Sequence, residues 1–586
     1  MQVTPENYVR AIISLSRRYS STSAFPGNNY VDLGEWLLQV LQDRSLLCPG
    51  EQSEDATLSA SASEQTHVLV VMYNSSERNW GMQQYCHEQH AKFYAAPSAP
   101  VRGSGQLVFI RGFISPSWVS VIGSKYNIDP EFFKRHMDFL SASIDRHAYS
   151  FPSLTSSSDK IFRLCVSTLF HRDDFGGQDL QSQRAHQAKE LVAYRVQQLG
   201  SNKVGCGDSL VREYSTICSR FSVIEQWISL CITKTDAGWA VIVWMDQGKP
   251  LEDSPPGPWT LHLESKATPL PVLQYHHKMA FRNTKNRLDP GANTSAEVPQ
   301  STTVLPLQYE SVLALVDLAR HAPQDPLSMC IPLFAHAAFS EVQFLNLMES
   351  RVQMQMNSMD ERVSTDALST FQYFSNILNR HAQQLKDSTR ALRKLAERSN
   401  QGSHEVKSES SMPKSKTARN LGRSQSRHSS DNETAKIVGP SNVDGAFSPK
   451  GLLEDYEDLY ARCIDLSTMC DRGITLAMGK ASVEESSKAI EQSQRLKKLT
   501  LLATLFIPLS FSTSVFGMNI DLLQQSTVRF WWFFILCVPI TAFAYIFYLW
   551  DFDALRRFLA RLWKQCFSFR RSMMAGTGEK DPVYIV

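Results

Sequence analysis

The sequence predicts an α/β soluble domain followed by a long stalk helix and a two-helix transmembrane hairpin. Three observations predict it. Leu499–Ile520, LTLLATLFIPLSFSTSVFGMNI, carries no charged side chain. At about 1.5 Å rise per residue it reaches across the roughly 30 Å of a bilayer core. A second charge-free run, Phe530–Trp550, follows after a short link. Ahead of both, short Val-rich runs alternate with helical patterns, as in a mixed α/β domain.

Composition sets the outer bounds. A chain of 586 residues with 43% hydrophobic and 20% charged residues fits several soluble domains with a small membrane part. A formal net charge of +2 gives no ground for nucleic-acid binding. The 11 cysteines follow no repeating spacing and are odd in number, which reads as a reduced chain, not a disulfide framework. The sequons at Asn74, Asn293 and Asn432 are then chance matches. The opening stretch MQVTPENYVRAIISLSRRYS lacks the apolar core and cleavage site of a secretory signal. It is basic and Ser-containing like a mitochondrial presequence, but Glu6 and the acidic residues after Tyr30 argue against one.

Within the first 320 residues, His67–Tyr73 and Gln106–Phe113 read as buried strands. WVSVIGSKYNI reads as a helix stopping before Asp129-Pro130, where PEFFKRHMDFL restarts one with Pro130 in its first turn. Ile228–Thr235 and Gly238–Met245 flank Asp236-Ala237 as a hairpin. The Pro-, Gly- and Thr-rich stretch 246–305 reads as loops. Nothing here supports catalysis. His87 and His90 beside Cys86 lack a second ligand pair at zinc-finger spacing and read as a polar loop. Gly103-Ser104-Gly105 is too short to cradle phosphate and lacks the P-loop Lys-Ser/Thr pair. No G-x-S-x-G elbow occurs.

Helical spacing follows over Tyr309–His321 and Pro332–Val352, then over Ser364–Arg398, where Leu368, Phe371, Phe374, Ile377 and Leu378 share a side. His381 continues that helix in a surface or core role, not as a ligand. Residues 399–450, rich in Ser, Lys, Arg and Asn, are expected to be a disordered insertion. Ser426 and Ser430 there have Arg-x-x-Ser spacing suited to phosphorylation. From Gly451 a helix resumes with acidic first turns (Glu454, Asp455, Glu457, Asp458) and an apolar stripe through Tyr456, Leu459, Cys463 and Leu466. The stripe weakens into Ser482–Ser487, which suits either a solvated face or a water-filled funnel.

The hairpin can be oriented. Arg495, Lys497 and Lys498 precede the first span, and Arg556, Arg557, Arg561, Lys564, Arg570 and Arg571 follow the second. The link Asp521–Arg529 holds one acid and one base. The positive-inside bias places both termini on the cytoplasmic side. Trp531, Trp532, Tyr548 and Trp550 mark the two interfaces. Two spans cannot enclose a hydrophilic path alone, so the hairpin either anchors the protein or lines an axis shared by several copies.

A membrane span ending in Gly517-Met518-Asn519, approached by a basic helix and followed by a second span, resembles the CorA-type magnesium channel superfamily. The local run KKLTLLATLFIPLSFSTSVFGMN, Lys497–Asn519, is similar to that family's pore helix. The resemblance covers about residues 450–560. It implies a homopentamer in membrane lipid whose first spans line the pore, with Mg²⁺ as transported ion and possible regulator and no further cofactor. It also implies that Asn519 rings the outer mouth and contacts the hydrated cation, with Gly517 allowing close packing and Met518 supporting the turn. The alternative for the trio is a helix C-cap, which Gly and Asn favour. Mg²⁺ dehydrates reluctantly, so amide oxygens that accept from its water shell suit it. Inward from Asn519, Ser510, Ile507 and Ala503 share the lining face. Leu499 and Leu496 match by position the family's hydrophobic constriction, with ordinary helix packing as the alternative.

The expected organisation is a soluble α/β domain over 1–320, a helical part over 305–398, the insertion over 399–450, the stalk over 451–498, spans over 499–520 and 530–550, and a basic tail over 551–586. The link departs from family members with a Pro-Glu-containing loop, offering only Asp521, partly offset by Arg529. The expected function is divalent-cation transport, Mg²⁺ first, by a two-pass protein of the plasma membrane, with mitochondrial inner and vacuolar membranes as alternatives. Other readings are a carrier of Zn²⁺, Co²⁺ or Ni²⁺, and a non-conducting membrane-anchored interaction protein. No enzymatic role is expected.

Overall fold

A computed structural model describes residues 3–22, 30–42, 67–75, 80–97, 104–138, 160–172, 179–200, 204–235, 238–260, 267–274, 305–309, 326, 328–358, 365–409, 449–517 and 531–549. Contacts divide the chain into two units, Met1–Ala477 and Met478–Val586.

The first unit is built on one mixed sheet. Its strands are β1 (Val68–Ser75), β2 (Trp80–Cys86), β3 (Ser104–Arg111), β4 (Ile161–His171), β5 (Glu213–Thr216), β6 (Phe221–Thr235), β7 (Gly238–Met245) and β8 (Thr268–Pro269). They lie in the order β2-β1-β3-β7-β6-β4-β8, with β5 also paired to β6. The pairs are antiparallel except β3 with β7, which run parallel from Ser104↔Gly238 to Arg111↔Met245. β6 and β7 form the expected hairpin, closing at Thr235↔Gly238.

Both faces of this sheet are buried, which explains why its strands read as continuous apolar runs. In β1, Val71 and Tyr73 enter one core, and Val70 and Met72 enter the other. β7 divides the same way, with Val241 and Val243 on the first side and Ile242 and Trp244 on the second. The second face is covered by α1 (Pro5–Thr22), α2 (Val31–Gln42), α3 (His90–Ala95), α4 (Pro116–Tyr126) and α5 (Pro130–His136). The break between α4 and α5 has local causes. Asn127 takes the left-handed conformation at φ 46°, and the Asp129 carboxylate caps α5 by accepting from the Glu131 N–H at 2.9 Å, ahead of Pro130 in the first turn. A helix α6 (Leu180–Gly200) packs Leu191 and Tyr194 with Tyr214 and Trp259 in a smaller cluster.

The first face is covered by α7 (Ile331–Ser358), α8 (Thr365–Glu409) and the start of α9 (Pro449–Gly517). Phe371, Phe374 and Leu378 of α8 meet Tyr456, Leu459 and Cys463 of α9 in that core. The Tyr456 hydroxyl donates to the Phe334 carbonyl at 2.9 Å, and the Ser467 hydroxyl to Asn379 Oδ1 at 2.9 Å. α8 carries on to Glu409, into the stretch expected to be an insertion, and residues 410–448 lie outside those described. The expected helix over 309–321 also falls largely outside them. Stalk and first span are one helix, α9, with Pro508 inside it.

Gly105 has a packing role. The Trp239 indole occupies the space a side chain there would need, with Cζ2 only 2.0 Å from the position of a Cβ. Gly105→Ala must displace that ring from the core between β3 and β7, at a cost of about 1–3 kcal/mol. Thermal melting of the purified variant should show a lowered midpoint and altered tryptophan fluorescence; an unchanged midpoint would contradict this packing.

Candidate ion pathway

The candidate pathway residues lie on the second unit's part of α9. Leu496, Leu499, Ala503, Ile507 and Ser510 are all helical and all exposed. At about 100° per residue they fall within an arc of about 80°, and Gly517 lies in the same arc. Leu496 is 62% exposed, Leu499 65% and Ile507 68%. Met518 and Asn519 lie outside the described residues. Between Met478 and Gly517, the described positions that are buried are Pro508 and Ser512. Helical geometry puts those two roughly opposite the pathway arc. Cover on that side is local, since Leu501, Leu505 and Leu509 beside them are 41–46% exposed, and the expected lining face is open.

The polar side chains of this stretch bond to their own helix. Thr500 donates to the Leu496 carbonyl at 2.8 Å, Thr504 to that of Thr500 at 2.8 Å, Ser512 to that of Pro508 at 2.9 Å and Thr513 to that of Ser510 at 2.8 Å. Such bonds satisfy hydroxyls where no water is at hand, so these residues do not prevent the helix from crossing hydrocarbon. Pro508 has no N–H to give the preceding turn, which makes it the point at which the helix is free to bend.

Among the described residues, one helix is long and apolar enough to cross a membrane, and only 11% of its apolar window is buried. That low burial separates it from the core helix of a soluble protein, and its place near residue 500 from a leader peptide. The second expected span coincides with α10 (Trp531–Leu549), a helix of 19 residues without a charged side chain.

The first unit holds buried charges that the sequence reading missed. Glu225 sits in β6 and Glu341 in α7, both buried, with His381 of α8 between them and Arg380 beside Glu225. The Arg380 guanidinium donates to Glu225, through Nε at 3.3 Å and more closely through Nη2. His381 reaches Glu225 through Nε2 at 3.2 Å and Glu341 through Nδ1 at 2.9 Å, while its ring stacks on Phe344 at 4.0 Å. Burial alone would strip the imidazolium of its proton. Glu341 and Glu225 outweigh that effect and push its pKa up to about 10. Burial also disfavours the Glu225 carboxylate, but His381 and Arg380 hold it well below the ordinary range. A second buried pair, Arg212 just before β5 and Asp246 just after β7, is joined by two 2.7 Å bonds. The sequence signal was available in each case: an acid within an apolar strand or helix needs a cation beside it.

The CHEQH stretch gives no metal site. His87 and Glu88 are exposed, and no group of three or more His, Cys, Asp or Glu among the described residues could hold an ion.

Residues 350–557 match the family model described as CorA-like Mg²⁺ transporter protein. Through this stretch the chain is similar to the CorA-like transporters. The matched part runs from the end of α7 through α8 and α9 and beyond α10. Among solved structures, the CorA magnesium transporter from Methanocaldococcus jannaschii is 11% identical, with 82% of this chain and 97% of that chain covered and a TM-score of 0.27. Full-length CmaX is also 11% identical, with 83% and 98% covered and a TM-score of 0.25. The comparison with curated proteins gives no match.

The His381 cluster has a defined pH dependence. A pKa raised from about 6.5 to about 10 adds stability that is complete below the unfolded value and fades as pH rises between them. The melting temperature of the purified protein should therefore fall from pH 7 to pH 10. His381→Gln should be destabilised by about 3–5 kcal/mol at pH 7 and should lose most of that slope. Parallel pH profiles for wild type and variant would contradict the assignment.

Proposed function

We propose that this protein is a divalent-cation channel of the CorA type, most readily for Mg²⁺, with its pathway along the exposed arc of α9. The observation that carries the reading is the long charge-free stretch of α9 left exposed, with Leu496, Leu499, Ala503, Ile507 and Ser510 along one arc of it. The family-model match across residues 350–557 supports the same reading. An apolar front of this kind is left for lipid or for further copies of the chain, and a ring of copies encloses a path that one chain cannot.

In a homopentamer the open faces meet around one axis. Leu496 and Leu499 then form the narrow apolar section, which closes by dewetting. Ser510 adds hydroxyls farther along. Asn519 places its amide oxygen at the outer mouth, where it accepts hydrogen bonds from the water shell of the cation, with Gly517 and Met518 shaping the turn that holds it. α10 is the second span, and both termini are cytoplasmic. Entry needs no nucleotide hydrolysis, because a divalent ion gains about 4.6 kcal/mol per 100 mV of inside-negative potential, at about 2.3 per charge.

Asn519→Ala, expressed in cells lacking their own magnesium uptake, should insert at wild-type levels and fail to restore growth in low magnesium. Restored growth would remove Asn519 from the pathway. Leu499→Asn should instead wet the constriction and raise resting influx severalfold in a Mg²⁺-sensitive dye assay; influx at or below wild type would count against the gate.

A further inference from the structure

The first unit contains a cavity of about 640 Å³ between β4, β6 and α8. That volume lies within the range of small-molecule sites. Its lining is strongly one-sided in charge: Arg135, Arg163, Arg380, Arg390 and Lys394 stand against Asp387 as the single acid. Three of these cations already have partners. Arg135 meets Glu131 at 2.8 Å, Arg390 meets Asp387 at 3.2 Å, and Arg380 pairs with Glu225. The other two have no carboxylate within ion-pair distance among the described residues. Arg163 lies with its guanidinium 3.8 Å from the centre of the Trp227 ring, fixed by that contact yet exposed to the cavity. Lys394 is half-buried, one turn beyond Arg390 on α8.

Cations gathered in a concave, partly apolar wall focus a positive potential that an exposed helix face would lose to solvent. The apolar part of the wall includes Ile161, Phe162 and Leu164. Gln384 adds an amide whose Oε1 has no hydrogen-bond partner among the described residues, an acceptor suited to a ligand hydroxyl. A planar guanidinium held in place and a mobile ammonium nearby are the groups that recognise phosphate oxygens.

We propose that this cavity binds a small molecule bearing a di- or triphosphate group, with Arg163 and Lys394 contacting the phosphates. The site lies wholly within the first unit and does not depend on the transport reading. Arg380 connects it to the buried Glu225–His381–Glu341 cluster, so an occupied cavity is one contact away from the charges that fasten α8 to β6 and α7.

The test is equilibrium binding to the purified full-length protein in detergent, with EDTA present so that no bridging metal contributes. Radiolabelled ATP should bind saturably, be displaced by pyrophosphate and be indifferent to adenosine. Lys394→Gln and Arg163→Gln should each weaken binding about tenfold or more, while Lys394→Arg retains it. Melting of both Gln variants without ligand should stay near wild type, which separates lost recognition from lost folding. Pyrophosphate binding without ATP binding would identify an inorganic polyphosphate as the source of the same chemistry and would support the site. Absence of saturable binding by either probe, equal displacement by adenosine, or full affinity in folded Lys394→Gln and Arg163→Gln would overturn it.

Discussion

The constraint on which the rest depends is the apolar surface of α9 beyond Arg495. Leu496, Leu499, Phe506, Ile507 and Phe511 are all more than half exposed. Burying a side chain of this size is worth about 1.5–3 kcal/mol, so five left in water forgo about 8–15 kcal/mol, as much as the whole stability of an ordinary domain. Such a surface is tenable only where hydrocarbon or further copies cover it. The chemistry along the helix agrees, because the Thr and Ser hydroxyls are satisfied by carbonyls of the preceding turn.

The first unit answers a different requirement. Its sheet is clothed on both faces, and the helix that becomes the apolar stretch begins there as an ordinary core element. Over its first turns α9 buries Leu452, Tyr456, Leu459, Cys463, Leu466 and Cys470 in the same core as α7 and α8. Gly473 lies against the Phe371 ring, where a Cβ would come within 2.7 Å of Cζ. Between these layers the Glu225–Arg380–His381–Glu341 cluster replaces apolar packing with matched charges. A buried cluster of this kind is weak evidence for added stability, but removing one member leaves the others uncompensated. Its contribution is to fix the register of α8 on β6 and α7.

Much of this was legible in the sequence, and the physical reasons differ by element. The β1 and β3 strands and the β6–β7 hairpin were readable because a doubly buried strand has to be apolar throughout. The α4–α5 break was readable from Asp129-Pro130 because capping and proline effects are local. The apolar stretch of α9 was readable because a bilayer imposes a minimum length. What could not be read was anything set by long-range placement. No local pattern brings Arg380 to Glu225, 155 residues away, or puts Trp239 over Gly105. The cation-lined cavity also escaped, since its lysine and arginines come from separate elements and each one alone looks like a solvated surface charge. The expected pathway residues lie at exposed helical positions of α9, and their role, with that of Met518 and Asn519, belongs to the functional proposal.

The central claim is that this chain alone, in enough copies to surround an axis, passes divalent cations. Purified full-length protein in liposomes loaded with a divalent-sensitive dye tests it directly, with Mg²⁺, Zn²⁺, Co²⁺ and Ni²⁺ supplied outside in turn under an inside-negative potential. The account predicts protein-dependent influx that is largest for Mg²⁺ and is driven by the potential. No influx of any of the four ions above that of empty liposomes, from protein shown to be folded and inserted, would contradict it.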